Sequence, residues 1–96
     1  MITHIVIWKM KEENKEENMK IIKEKLESLP PIIKEIKKLE VGINCNTSDA
    51  AYDLCLLSEF ETNEDLESYQ VNPNHVEVSK FVRSVITDRK VIDFER

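Results

Sequence analysis

Two histidines, His4 and His75, and one tyrosine, Tyr69, are the side chains of this sequence best suited to moving protons near neutral pH. His4 falls in ITHIVIWKM, residues 2–10, where strand alternation groups it with Ile2, Val6, Trp8 and Met10 on one face. His75 heads a stripe with Val78, Val82 and Val85, spaced as one face of a helix turned to a core. Tyr69 follows Leu66 on a preceding short helix and is placed to line the same space. If the helices cover the His4 face, both imidazoles and the phenol converge on one apolar cavity. Two imidazoles and a phenol in such a cavity can move protons near neutral pH. His75, in the first turn of its helix and facing inward, is expected to be neutral at pH 7, since the helix dipole and burial both disfavour imidazolium.

Each of these residues also has a structural explanation. A histidine on an apolar strand face is often a satisfied core residue. His75 beside a helix start can bond backbone or Asn72 instead of a ligand. Tyr69 and Trp8 fit packing as well as chemistry. Metal binding by the histidines and a carboxylate is the weaker alternative, because no clustered ligand motif occurs.

Those side chains need elements to hold them. Residues 2–10 read as a strand with both faces apolar in the middle, hence covered on both sides. Residues 14–29 read as an amphipathic helix carrying Met19, Ile22, Leu26 and Leu29, with Asn14 and Glu17 as a capping box and Pro30 and Pro31 as its stop. Ile32, Ile33 and Ile36 suggest a short helical turn. Residues 38–45 and 52–61 alternate as two strands of a hairpin, with Cys45 opposite about residue 52. Thr62 or Asn63 caps a short helix, and Asn72 and Pro73 start the next, which runs to about Ile86. Residues 88–95 give the last strand. The order strand, helix, strand, strand, helix, strand predicts an α+β fold: ferredoxin-like βαββαβ with a four-stranded antiparallel sheet. That plan leaves one sheet face bare, yet Ile5 and Ile7 lie on it. The expected outcome is a homodimer through the sheet face.

Composition narrows the field further. With 96 residues the chain is long enough for a single domain, residues 1–96. Its only glycine, Gly42, excludes a phosphate-binding loop, a dinucleotide fingerprint and a nucleophile elbow, which need at least two. Gly42 falls within a strand, where it is expected to mark a bulge or a close backbone approach. Fourteen basic against 19 acidic residues give a net charge of -5, which argues against a nucleic-acid partner. Lys34, Lys37 and Lys38 alternate with acids and read as a solvated face. Cys45 and Cys55 are too few for a four-thiolate zinc site and are out of register for a disulfide. No leader-like or membrane-spanning apolar run is present, so the expectation is a cytoplasmic protein with reduced thiols and no membrane association.

The opening ITHIVIWKMKE, the segments LEVGIN and LLSEFETNEDLESYQVNPNHVEV, and the closing RKVIDFE resemble the stress-responsive A/B barrel (Dabb) domain. The resemblance spans nearly the whole chain and rests on the order and spacing of these segments. It implies a dimeric α/β barrel. Most bacterial members of that family have no assigned activity, while plant members include stress-induced proteins and a polyketide cyclase. In the cyclase a first-strand histidine and the second histidine of a Y-x-x-H-P-x-H segment promote an aldol ring closure. The matching positions are His4 and His75, with Tyr69 at the tyrosine. Asn72 replaces the first histidine of that segment. The resulting expectation is a small dimeric domain that binds a small apolar carbonyl compound between helices and sheet. The alternatives are a cofactor-free cyclase-like enzyme using the His pair, and a cofactor-free monooxygenase.

Overall fold

The β-branched and aromatic residues at the start of the chain form β1 (Ile2–Met10), an inner strand of the sheet. It is followed by α1 (Lys15–Glu27), β2 (Lys38–Ile43), β3 (Leu54–Phe60), α2 (Asn63–Val71), α3 (Pro73–Val85) and β4 (Ile86–Glu95). The computed structural model describes all residues, 1–96. The four strands are antiparallel in the order β2-β3-β1-β4, so the fold is ferredoxin-like, as the element order predicts. The short helix α2 is set off from α3 by Asn72, whose side chain accepts from the Asn74 amide and whose neighbour Pro73 starts the new helix.

The helices cover the face that carries Ile2, His4, Val6, Trp8 and Met10, all of them buried. Met19, Ile22 and Leu26 of α1 and Val78 and Val82 of α3 pack into the same core with Leu54, Leu56 and Phe60 of β3. The opposite face has no helix. There Ile5 lies between Leu57 of β3 and Ile92 of β4, and Thr3 lies beside Phe94. Ile92 is 59% exposed and Phe94 39% exposed.

One sheet edge is closed by side chains. At β2 the Val41 amide donates to Glu27 Oε2 at 3.0 Å, and Lys23 Nζ donates to the Val41 carbonyl at 2.6 Å. The Lys23 hydrogen bond, followed by that of the Val41 amide, holds the Glu27 carboxyl below its ordinary pKa. An ion pair on α1 thus occupies backbone groups that would otherwise be open to a further strand.

Several local expectations change. Asn14 does precede α1, but it adopts a left-handed conformation with φ 53° and makes no side-chain cap, so the capping box does not form. The helix ends at Glu27, before the prolines; the Ser28 amide still bonds the Glu24 carbonyl, and the last turn tightens at Leu29, whose amide bonds Leu26. The short helical turn expected at residues 32–36 is present as hydrogen-bonded turns, with Ile33 and Ile36 buried, but Ile32 is exposed. The hairpin strands stop at Ile43 and restart at Leu54, two residues short of the sequence-based limits at each side. Gly42 marks no bulge, since the β2–β3 register runs unbroken past it. A Cβ there would meet Cys55 Sγ at 3.4 Å, an ordinary contact distance. The one irregularity falls between Lys9 and Met10, where β1 meets β4. Pairing of Ile43 with Leu54 keeps Cys45 and Cys55 out of register, and both are free thiols.

Candidate functional site

Between α3 and the covered face of the sheet lies a cavity of about 500 Å³. Its floor includes His4, Val6 and Trp8 of β1, and its α3 wall includes His75, Val78, Ser79 and Val82. The volume and mixed lining are those of a small-molecule site.

Strand alternation alone turns His4 toward the helices, and pairing with β4 determines its partner. His4 stands opposite Asp93 in the β1–β4 register, and its Nδ1 lies 2.5 Å from Asp93 Oδ1. The carboxylate accepts, so Nδ1 carries the hydrogen and Nε2 is left as the basic nitrogen. His4 is buried, whereas the Asp93 side chain is 41% exposed.

The His75 ring reaches the same arrangement through the backbone. Its Nδ1 donates to the Gln70 carbonyl at 3.1 Å, since a carbonyl can only accept. Its Nε2 then accepts from the Ser79 hydroxyl at 3.4 Å. Burial pushes the His75 pKa down, the Gln70 carbonyl opposes this, and the positive charges of Arg89 and Arg83 add to the lowering. The direction agrees with the sequence-based expectation of a neutral ring. The Asn72 side chain is engaged by Asn74 and does not bond His75.

Tyr69 joins the two imidazoles, but not as a wall of the cavity. It is fully buried, with its ring centroid 4.2 Å from that of His75, 5.0 Å from Phe60 and 6.5 Å from His4. It is absent from the cavity lining, and its hydroxyl has no hydrogen-bond partner. Burial raises its pKa, so the phenol is neutral at physiological pH. The three candidate residues are therefore neighbours, with His4 and His75 on the cavity and Tyr69 packed beside them.

Sequence reasoning passed over Asp93, Ser79, Arg83 and Arg89. Ser79 and Arg83 follow His75 at four-residue intervals on one helix face, a signal present in the sequence. Asp93 and Arg89 lie on alternate positions of β4, but nothing local shows which residue of β1 each one meets. No group of three or more His, Cys, Asp or Glu side chains is placed to hold a metal ion. No helix is long and apolar enough to cross a membrane.

The fold is shared with proteins of known structure. A dimeric protein of unknown function with a ferredoxin-like fold from Bacteroides fragilis is 33% identical. The match covers 99% of this chain and 95% of that one, with a TM-score of 0.91. The At3g17210 protein of Arabidopsis thaliana is 20% identical over 100% of this chain and 95% of that one, with a TM-score of 0.88. A hydroxynitrile lyase from Passiflora edulis is 18% identical over 97% of this chain and 90% of that one, with a TM-score of 0.85. The last two likenesses show the fold alone. No curated protein sequence matches the chain. The family model of the stress responsive A/B barrel domain matches residues 2–96, and the chain belongs to that family.

Proposed function

We propose that this protein is a homodimer that binds a small, largely apolar carbonyl compound in the α3–sheet cavity and moves a proton there with His4 and His75, without a cofactor. One observation carries the proposal. Both imidazoles border a single cavity, and each has its Nδ1 hydrogen committed to an acceptor, so Nε2 carries the lone pair; on His75 that lone pair accepts a long 3.4 Å contact from the Ser79 hydroxyl, which must turn away for the base to act. His75 serves as the base, because its lowered pKa leaves it unprotonated at pH 7. His4, its ring fixed by the Asp93 carboxylate, takes a proton from solvent at Nε2 and can then hydrogen-bond an oxygen that becomes negative. Catalysis on this fold has a precedent in the Passiflora edulis hydroxynitrile lyase. The test is a panel of poly-β-keto acids and simpler ketones offered to wild type and His75→Ala. Turnover by wild type and a loss of about 10²-fold or more in the variant is the expected result. Equal turnover would remove His75 from the chemistry. Binding without turnover in either protein would leave a ligand-binding module.

Dimerisation rests on the open sheet face, where Ile5, Leu57 and Ile92 form an apolar row and Phe94 is part-exposed. The Bacteroides fragilis relative is dimeric. Light scattering is expected to give twice the chain mass for wild type. The Ile5→Lys variant is expected to give the single-chain mass, because a face-to-face pair would bury two uncompensated ammonium groups. A wild type that stays monomeric at micromolar concentration contradicts the assignment.

A further inference from the structure

A serine in or at the end of a helix commonly turns its hydroxyl back onto a carbonyl of the preceding turn. Ser28 and Ser84 do so, on the Lys25 and Phe81 carbonyls at 2.7 and 2.6 Å. Ser79, in the middle of α3, does not. Its hydroxyl meets the His75 imidazole one turn earlier, with Oγ 3.4 Å from Nε2. Both residues line the cavity and both are only part-buried.

The contact has the polarity of a hydroxyl nucleophile beside its base. The His75 ring is held from its far side, where Nδ1 donates to the Gln70 carbonyl at 3.1 Å. Nε2 therefore turns a lone pair to the Ser79 hydroxyl. A nucleophile, a base within reach of its proton and a third group that orients the base are the parts covalent catalysis needs. Here the third group is a backbone carbonyl. Such contacts are often long in a ligand-free protein and tighten when substrate binds. An oxyanion formed beside Ser79 would also meet positive charge. Arg83 lies one turn further along the same helix face and lines the same cavity. It has no carboxylate within ion-pair distance. Val78, Val82 and Trp8 give the cavity an apolar wall for an acyl group.

We infer that Ser79 is an acyl-accepting nucleophile activated by His75, and that the cavity takes a carboxylic ester with a compact apolar acyl group. Ser79 Oγ bonds to the ester carbonyl carbon while its proton passes to His75 Nε2. The tetrahedral oxyanion is stabilised by the Arg83 guanidinium. Its collapse breaks the bond from carbon to the alcohol oxygen, and the alcohol leaves with the proton from His75. Water then attacks the acyl-serine and gives a proton to His75. That proton returns to Ser79 Oγ as the carboxylic acid is released. This chemistry goes beyond the proton transfer proposed above, since it needs no hydrogen on the carbon next to the carbonyl.

The probe is p-nitrophenyl pivalate, whose acyl group has no such hydrogen and, once on serine, forms a hindered ester that hydrolyses slowly. Wild type is expected to release about one p-nitrophenolate per chain in a fast phase and to gain one pivaloyl group. Tandem mass spectrometry is expected to locate that group on Ser79. Ser79→Ala is expected to lose the fast phase, and His75→Gln to slow it by about 10²-fold or more. In wild type the rate should hold to a pH below the ordinary histidine value of about 6.5, because burial favours the neutral base. Circular dichroism checks that both variants are folded; should His75→Gln unfold, the pH profile of wild type takes its place. A fast phase unchanged in Ser79→Ala would overturn the inference. So would a pivaloyl group on His75 or on a lysine in place of Ser79, or no acylation at all. None of these results decides the proton-transfer reading, which ketone turnover tests on its own.

Discussion

Tyr69→Ala is expected to lower the free energy of unfolding by about 3–5 kcal/mol. Native domains are commonly stable by only about 5–15 kcal/mol, so this one change would remove a large part of the total. The ring is fully buried and packs on both Phe60 and His75. Removing it leaves a cavity beneath the site that the rigid sheet can fill only in part. It also frees the His75 ring from a neighbour that fixes its position. Tyr69→Phe separates the ring from the hydroxyl. The hydroxyl is buried without a partner, so its removal is expected to leave stability unchanged or slightly higher. Urea unfolding of the two variants checks both statements. A loss of about 2 kcal/mol or more in Tyr69→Phe would show that the hydroxyl is hydrogen-bonded in solution. A stable Tyr69→Phe protein with turnover down by about 10²-fold would give the phenol a part in the chemistry.

The second large effect belongs to Asp93. Asp93→Asn keeps the shape of the side chain but replaces a carboxylate with a group that can either donate or accept. The His4 Nδ1 hydrogen is then no longer compelled, and the ring can take the tautomer with its hydrogen on Nε2, which is not a base on that side. Turnover is expected to fall by about 10²–10⁴-fold, chiefly in kcat, with KM little changed. The tautomer can be read without any substrate. Long-range ¹H–¹⁵N NMR should show a hydrogen on His4 Nδ1 in wild type and a mixture in Asp93→Asn. An unchanged His4 spectrum in the variant would mean that Asp93 does not select the tautomer. Because Asp93 is part-exposed, the substitution is expected to change stability little.

How much of this could be read beforehand varied by element. The alternation of residues 2–10 placed His4 with Val6 and Trp8, and the structure buries all three on the covered face. Helical spacing placed His75 with Val78 and Val82, and those residues line the cavity together. Asn72 and Pro73 announced the start of α3 correctly, because an N-cap acceptor and a fixed φ are local properties. Asn14 looked equally suited to its position and does not cap; its backbone is left-handed, not in the extended region usual for an N-cap. Residues 32–36 had an apolar spacing compatible with a helical turn, and the chain there does turn, carrying Ile33 and Ile36 into the core on its way to β2.

The sequence by itself determined the order of elements, the faces they bury and the two histidines as candidates, because period, capping and proline chemistry act over a few residues. The bare apolar sheet face was also legible, since alternation on β1 leaves Ile5 and Ile7 opposite the buried set. Only the tertiary structure decided the partners. Asp93 lies 89 residues from His4 in the chain, and the β1–β4 register alone brings the two together. Tyr69 could be assigned to the right neighbourhood but not to its depth, which depends on how α2 and Phe60 pack. Arg83 and Arg89 likewise come to line one cavity only because α3 turns straight into β4. Local rules fix which way a side chain faces. What it meets there is set by strand pairing and helix packing between distant parts of the chain.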